Sequence, residues 1–96
     1  MLQQVIVKTK NAEAMRPLLR SAINREIKLL DSGIARTRVR LLAFEKQYNM
    51  TTGEFLHRFT ADDLGETLDY LEWYGETKML ASLEEQKHTF EGTSVP

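Results

Sequence analysis

The sequence predicts an all-α protein: one long helix packed antiparallel on a second through a short connecting helix, with a short strand or arm at the N-terminus. Three observations carry this. Ile23, Ile27, Leu30, Ile34, Thr37, Leu41, Phe44 and Tyr48 follow one another at alternating spacings of four and three, the rhythm of a coiled-coil seam. Thr51-Thr52-Gly53-Glu54, just past Asn49-Met50, is a capping box that opens a new helix. From Thr60 to His88 a further stretch keeps helical spacing. The chain's 96 residues make one domain, divided into an arm over 1–10, a helical hairpin over 11–90 and a flexible tail over 91–96.

In the arm, Val5, Ile6 and Val7 form a β-prone centre flanked by Gln4 and Lys8. A lone strand is unstable, so the arm either pairs with a second copy or partner or lies extended on the helix. Asn11 caps a lead-in through Met15, and Pro17 bends the chain. The straight helix then runs from Pro17 to Tyr48. At 1.5 Å per residue it is roughly 48 Å long, more than a domain of this size can wrap. Its seam therefore reads as the oligomer interface of a dimeric bundle. Arg25, Lys28, Arg36 and Arg40 fall on the opposite side, a solvated face or a contact for phosphate or acidic protein. Gly33 in mid-helix marks a close crossing or a break.

A break there would give a strand followed by two helices, the ribbon-helix-helix plan of DNA binding. Against it, the reading face would be Val5, Ile6 and Val7, and the seam crosses Gly33 without a phase change.

Phe55, Leu56 and Phe59 form the apolar face of the short helix and close the end of the bundle. Thr60-Ala61-Asp62-Asp63 reads as the cap of the third helix, with acids where the helix dipole favours them. Leu64, Leu68, Leu71, Gly75 and Met79 make its inward stripe, with Leu83 at the margin. On the other side Asp62, Glu66, Asp69, Glu72 and Glu76 form an acidic stripe containing Trp73, with Tyr70 at its edge. An aromatic ringed by carboxylates suits a basic partner, so these seven residues are the candidate partner-binding site. The alternative places Trp73 in a core.

Charge divides along the chain. Residues 1–50 carry ten Lys/Arg against four Asp/Glu, a net +6, and residues 51–96 carry three against ten, a net −7. Cysteine is absent, which removes disulfides, thiolate metal sites and thiol nucleophiles and fits a reducing cytoplasm. No apolar run suits a signal peptide or a membrane span. The two histidines have no serine and acid arrangement around them, so an enzyme is not expected. Each ends a Glu-x-x-His pattern, Glu54 with His57 and Glu85 with His88, which Glu26 and Glu45 could complete in a di-metal bundle. Glu54 already caps a helix and His88 sits near a helix end, so neither a metal nor any cofactor is expected.

From Phe44 to Leu83 the sequence resembles the antitoxin partner of small prokaryotic toxin-antitoxin gene pairs. Carrying the resemblance are Phe44-Glu45-Lys46-Gln47-Tyr48-Asn49-Met50-Thr51, Glu54-Phe55-Leu56 with Arg58-Phe59, Leu64-Gly65-Glu66, Asp69-Tyr70-Leu71-Glu72-Trp73, and Met79-Leu80 with Leu83. The resemblance implies a helical protein-binding module whose partner is a basic protein, commonly a toxin acting on RNA, covered by the acidic face. A self-assembling helical protein is the alternative, and DNA binding through paired strands a third reading.

Overall fold

The computed structural model describes residues 2–96; Met1, the first residue of the expected arm, lies outside the described residues. Three helices follow in order: α1 Ala12–Tyr48, α2 Thr52–Thr60 and α3 Leu68–Glu91. The Asn11 side chain caps α1, its Oδ1 accepting the Ala14 amide at 3.1 Å. Pro17 lies inside α1 and does not begin it. The bond it cannot donate concerns the Glu13 carbonyl, in the exposed first turn of the helix. α1 also runs unbroken through Gly33, so the second helix of a ribbon-helix-helix plan is not formed. Residues 2–9 form neither helix nor strand, and Leu2, Val5 and Ile6 are exposed.

Asn49 ends α1 in the left-handed conformation at φ 51°, and its amide donates to the Glu45 carbonyl. Thr51 caps α2 as the capping box requires, its Oγ1 accepting the Glu54 amide at 3.0 Å. Glu45 supports the same turn, its Oε2 accepting the Thr52 amide at 2.7 Å.

The third helix begins later than the sequence suggests. Asp62 has φ 56° and Gly65 φ 73°, values no helix accommodates, so Asp62, Asp63, Leu64 and Glu66 lie in a loop. Asp63 receives the Arg58 Nε at 3.2 Å across that loop. Thr67 is the cap of α3, accepting the Tyr70 amide at 3.1 Å.

Cross-links set α3 antiparallel to α1. Asp69 meets Gln47 and Tyr48, Glu76 meets Arg40, Glu84 meets Arg38 and Lys87 meets Asp31, so numbers rise on one helix as they fall on the other. The molecule measures 57 × 26 × 19 Å, and at 1.5 Å per residue the 37-residue α1 alone spans about 55 Å of it. α3 is shorter, and beyond its end the tail continues along α1, where Arg20 Nη2 donates to the Val95 carbonyl at 3.0 Å.

The seam of α1 faces inward as its spacing requires. Leu30, Ile34, Thr37 and Leu41 are buried, and Ile23, Ile27, Phe44 and Tyr48 are half-buried. Thr37, the polar member, donates to the Gly33 carbonyl at 2.9 Å and so is satisfied in place. What fills the seam is α3 of the same chain. The seam is thus an intramolecular packing face, since a helix of 24 residues is long enough to cover most of it.

α3 presents a different face from the one expected. Leu68, Leu71 and Met79 are exposed, and Gly75 has nothing near its side-chain position. The inward positions are Trp73, Glu76, Leu80, Leu83, Lys87 and Phe90, which repeat the three-four rhythm of α1. A Cβ at Gly33 would lie 3.3 Å from Leu83 Cδ1, so glycine lets the helices approach closely there.

Candidate functional site

The residues singled out for partner binding separate into two groups, and the division follows from Trp73. Its side chain has 0% exposure. It stacks on Phe55, centroids 4.0 Å apart and planes 2° from parallel, and lies near Phe44 at 5.5 Å and Tyr48 at 5.9 Å. Its Nε1 donates to Thr52 Oγ1 at 3.1 Å, so the indole is satisfied without water. Trp73 is therefore the centre of the core where α1, α2 and α3 meet, not a surface anchor.

Tyr70 joins the same cluster, 5.6 Å from Phe55 and 5.2 Å from Tyr48. Phe59 packs on Phe55 and Tyr74 and closes the outer side. The short helix thus acts as an aromatic lock between the two long ones.

Two of the acids serve that core. Asp69 Oδ2 accepts the Tyr48 hydroxyl and the Gln47 amide, the latter at 3.2 Å. The bond to Asp69, with burial and the carboxylate's charge, pushes the Tyr48 phenol up to about 12. Glu76, its side chain only 17% exposed, receives Arg40 Nη1 at 3.3 Å. Asp69 and Glu76 thus flank Trp73 and tie α3 to α1.

Asp62, Glu66 and Glu72 stay exposed. Asp62 and Glu66 belong to the loop over 61–67, and Glu72 stands one turn beyond Leu68 on α3. The apolar residues exposed among them are Leu68, at 86%, and Leu71, at 47%. At the head of α3 the structure therefore does hold an apolar patch bordered by acids, built on Leu68 and Leu71 where the sequence pointed to Trp73 and Tyr70. The signal that could have found it is the cap at Thr67, which places Leu68 in the first turn of α3.

Shallow grooves mark the surface of the described residues. One, of about 370 Å³, runs along the turn between α1 and α2 beside Glu45, Asn49 and Glu54. Another, of about 230 Å³, lies between Arg20, Ile23 and the tail at Val95. Among the described residues, no three histidine or acidic side chains gather as metal ligands, so neither Glu-x-x-His pair is joined by a third group. Among the described residues, no helix is long and apolar enough to cross a membrane.

A hairpin of two long helices locked by an aromatic cluster, with an acidic and apolar head, is thus the class of protein that the fold and surface define. No protein-family model matches the chain, and no curated protein or solved structure does.

Proposed function

We propose that the chain is an antitoxin-like protein-binding module that engages a basic partner through the head of α3. The observation that carries this reading is the exposure of Leu68 and Leu71 among Asp62, Glu66 and Glu72. Carboxylates around an apolar patch speed encounter with a basic surface, while the apolar contact slows release. The resemblance over Phe44–Leu83 supplies the kind of partner, a basic protein such as a toxin acting on RNA, whose substrate groove the acids would fill. The aromatic lock holds the 61–67 loop and α3 in place, so the patch is organised before binding and little ordering cost remains.

The test is recovery of the tagged chain from its native host at moderate salt, with the stoichiometry of each co-purified protein measured. A small basic protein recovered near equimolar amounts by the wild-type chain, and lost by Leu68→Ser/Leu71→Ser with the thermal melt unchanged, is the expected outcome. Retention of that partner by the double variant, or recovery of none by the wild type, refutes the proposal.

A further inference from the structure

α1 carries a second seam diametrically opposite the first. The positions midway between the buried seam residues include a line through 25, 29, 32, 36, 39, 43 and 46, again alternating four and three. Its composition repeats in the order basic, large apolar, small. Arg25, Arg36 and Lys46 are the basic members, Leu29 and Val39 the large ones, and Ser32 and Ala43 the small ones. Every residue on this line is exposed, Leu29 at 60% and Val39 at 66%. Lys28, Ala35 and Leu42 border it and are exposed too.

No acid lies on this face. α1's four acids, Glu13, Glu26, Asp31 and Glu45, all lie off it; Asp31 is paired with Lys87, and Glu45 is bound to the Thr52 amide. Arg38 and Arg40, at the sides of α1, are neutralised by Glu84 and Glu76 of α3. The line and its border thus keep four cations, Lys28 included, and three large apolar residues, Leu42 included, with two small-residue holes on the line itself. Over about 32 Å the line winds slowly, by roughly 20° per heptad, which is the left-handed drift that helix-on-helix packing follows.

We infer that the back of α1 is a docking seam for an acidic amphipathic α-helix of another protein. Charge excludes a second copy of the same face, since self-pairing would set four cations against four. Exposed Leu29 and Val39 argue against a nucleic-acid backbone, which needs the cations alone. The repeat further specifies the ligand. Cations recur at about 16 Å intervals, so the docking helix carries acids ten or eleven residues apart, with large apolar residues facing Ser32 and Ala43. This surface is separate from the acidic head, and its occupancy does not depend on the head's partner.

A labelled synthetic peptide of about 28 residues, four heptads carrying a Glu-Ala-Leu repeat along one seam, is the probe. It is titrated against the full chain at roughly 0.1 M salt, beside a scrambled peptide of equal composition and a duplex DNA. Expected is binding at least about tenfold tighter than the scrambled peptide, with a gain of helical circular dichroism on mixing. Leu29→Gln/Val39→Gln and Arg25→Glu/Arg36→Glu should each weaken it about tenfold or more, while Leu68→Ser/Leu71→Ser leaves it unchanged. These positions lie outside the core, so the variants keep the wild-type melt. Equal affinity for the scrambled peptide, tighter binding of the DNA, or a dimer of the chain that Leu29→Gln/Val39→Gln dissolves would each overturn the inference.

Discussion

Replacing Trp73 with alanine separates a core residue from a surface anchor by size of effect. A tryptophan buries on the order of 200 Å², and at about 25 cal/mol per Å² its transfer alone is worth about 5 kcal/mol. Measured large-to-small changes of buried aromatics cost roughly 3–5 kcal/mol, because surrounding groups relax into part of the space. Here relaxation is limited: Phe55 lies parallel to the indole on one side, and Phe44 and Tyr48 hold other edges. Loss of the indole also leaves Thr52 Oγ1 without its donor. A loss of about 4 kcal/mol lowers the melting temperature of a domain this small by roughly 15–30 °C. The assay is thermal and urea unfolding followed at 222 nm for wild type, Trp73→Phe and Trp73→Ala, with Leu71→Ala as the exposed control. Trp73→Phe should fall between the other two. Trp73 is the chain's single tryptophan, so its fluorescence reports this position alone and should be blue-shifted and shielded from iodide. An alanine variant within about 0.5 kcal/mol of wild type, or an indole freely quenched, would refute the buried lock and return Trp73 to the surface.

Tyr48→Phe removes the bond to Asp69 and with it the late step of an alkaline titration followed at 295 nm, since the Tyr48 phenol ionises near 12. Its folded-state value is raised above the ordinary 10, so its contribution to stability is complete below about pH 10 and is lost as pH climbs toward 12; a wild-type stability profile no steeper there than that of Tyr48→Phe would contradict this. Gly75→Ala should stabilise by about 1 kcal/mol in urea unfolding, because the position is exposed in mid-α3 with open space around its side-chain direction; a loss of stability would place a neighbour there. Gly65→Ala should cost about 1–2 kcal/mol in the same assay, since φ 73° is strained for any residue with a Cβ; a neutral result would mean the loop over 61–67 adopts another conformation.

α1 was legible because its seam is almost wholly apolar and keeps a single rhythm, and the caps at Asn11 and Thr51 are local hydrogen bonds that a sequence displays directly. Pro17 does not divide the helix, because the bond it forfeits belongs to the exposed first turns, where one lost bond costs little. α3 was misread for two physical reasons. Thr60-Ala61-Asp62-Asp63 has cap chemistry, but the left-handed backbone at Asp62 and Gly65 carries the chain through a loop first. The acidic stripe also reads as a face for a basic partner, yet Asp69 and Glu76 are oriented by Tyr48, Gln47 and Arg40 on the facing helix. Two of the six inward positions of α3, Glu76 and Lys87, are charged and satisfied across the interface, which hid a three-four rhythm as regular as that of α1. A partner on another element cannot be read from the spacing of one element alone, and that is why the inward face of α3 became visible only with the fold.

The opposed charges of the two halves are divided in the folded molecule between internal bonds and free surface. Arg38, Arg40 and Lys87 meet Glu84, Glu76 and Asp31 and fix the register of the hairpin. Such pairs at a half-exposed helix boundary are each worth little, roughly 0–1 kcal/mol, so register is set jointly by them and by the apolar seam. What remains is asymmetric: cations along the back of α1, acids at the loop and head of α3. Had the charge served only solubility, the two signs would be interspersed over both helices. The acid-free face of α1, with two large apolar residues at its centre, and the head of α3, with Leu68 at 86% exposure, are the two surfaces on which the proposed contacts rest.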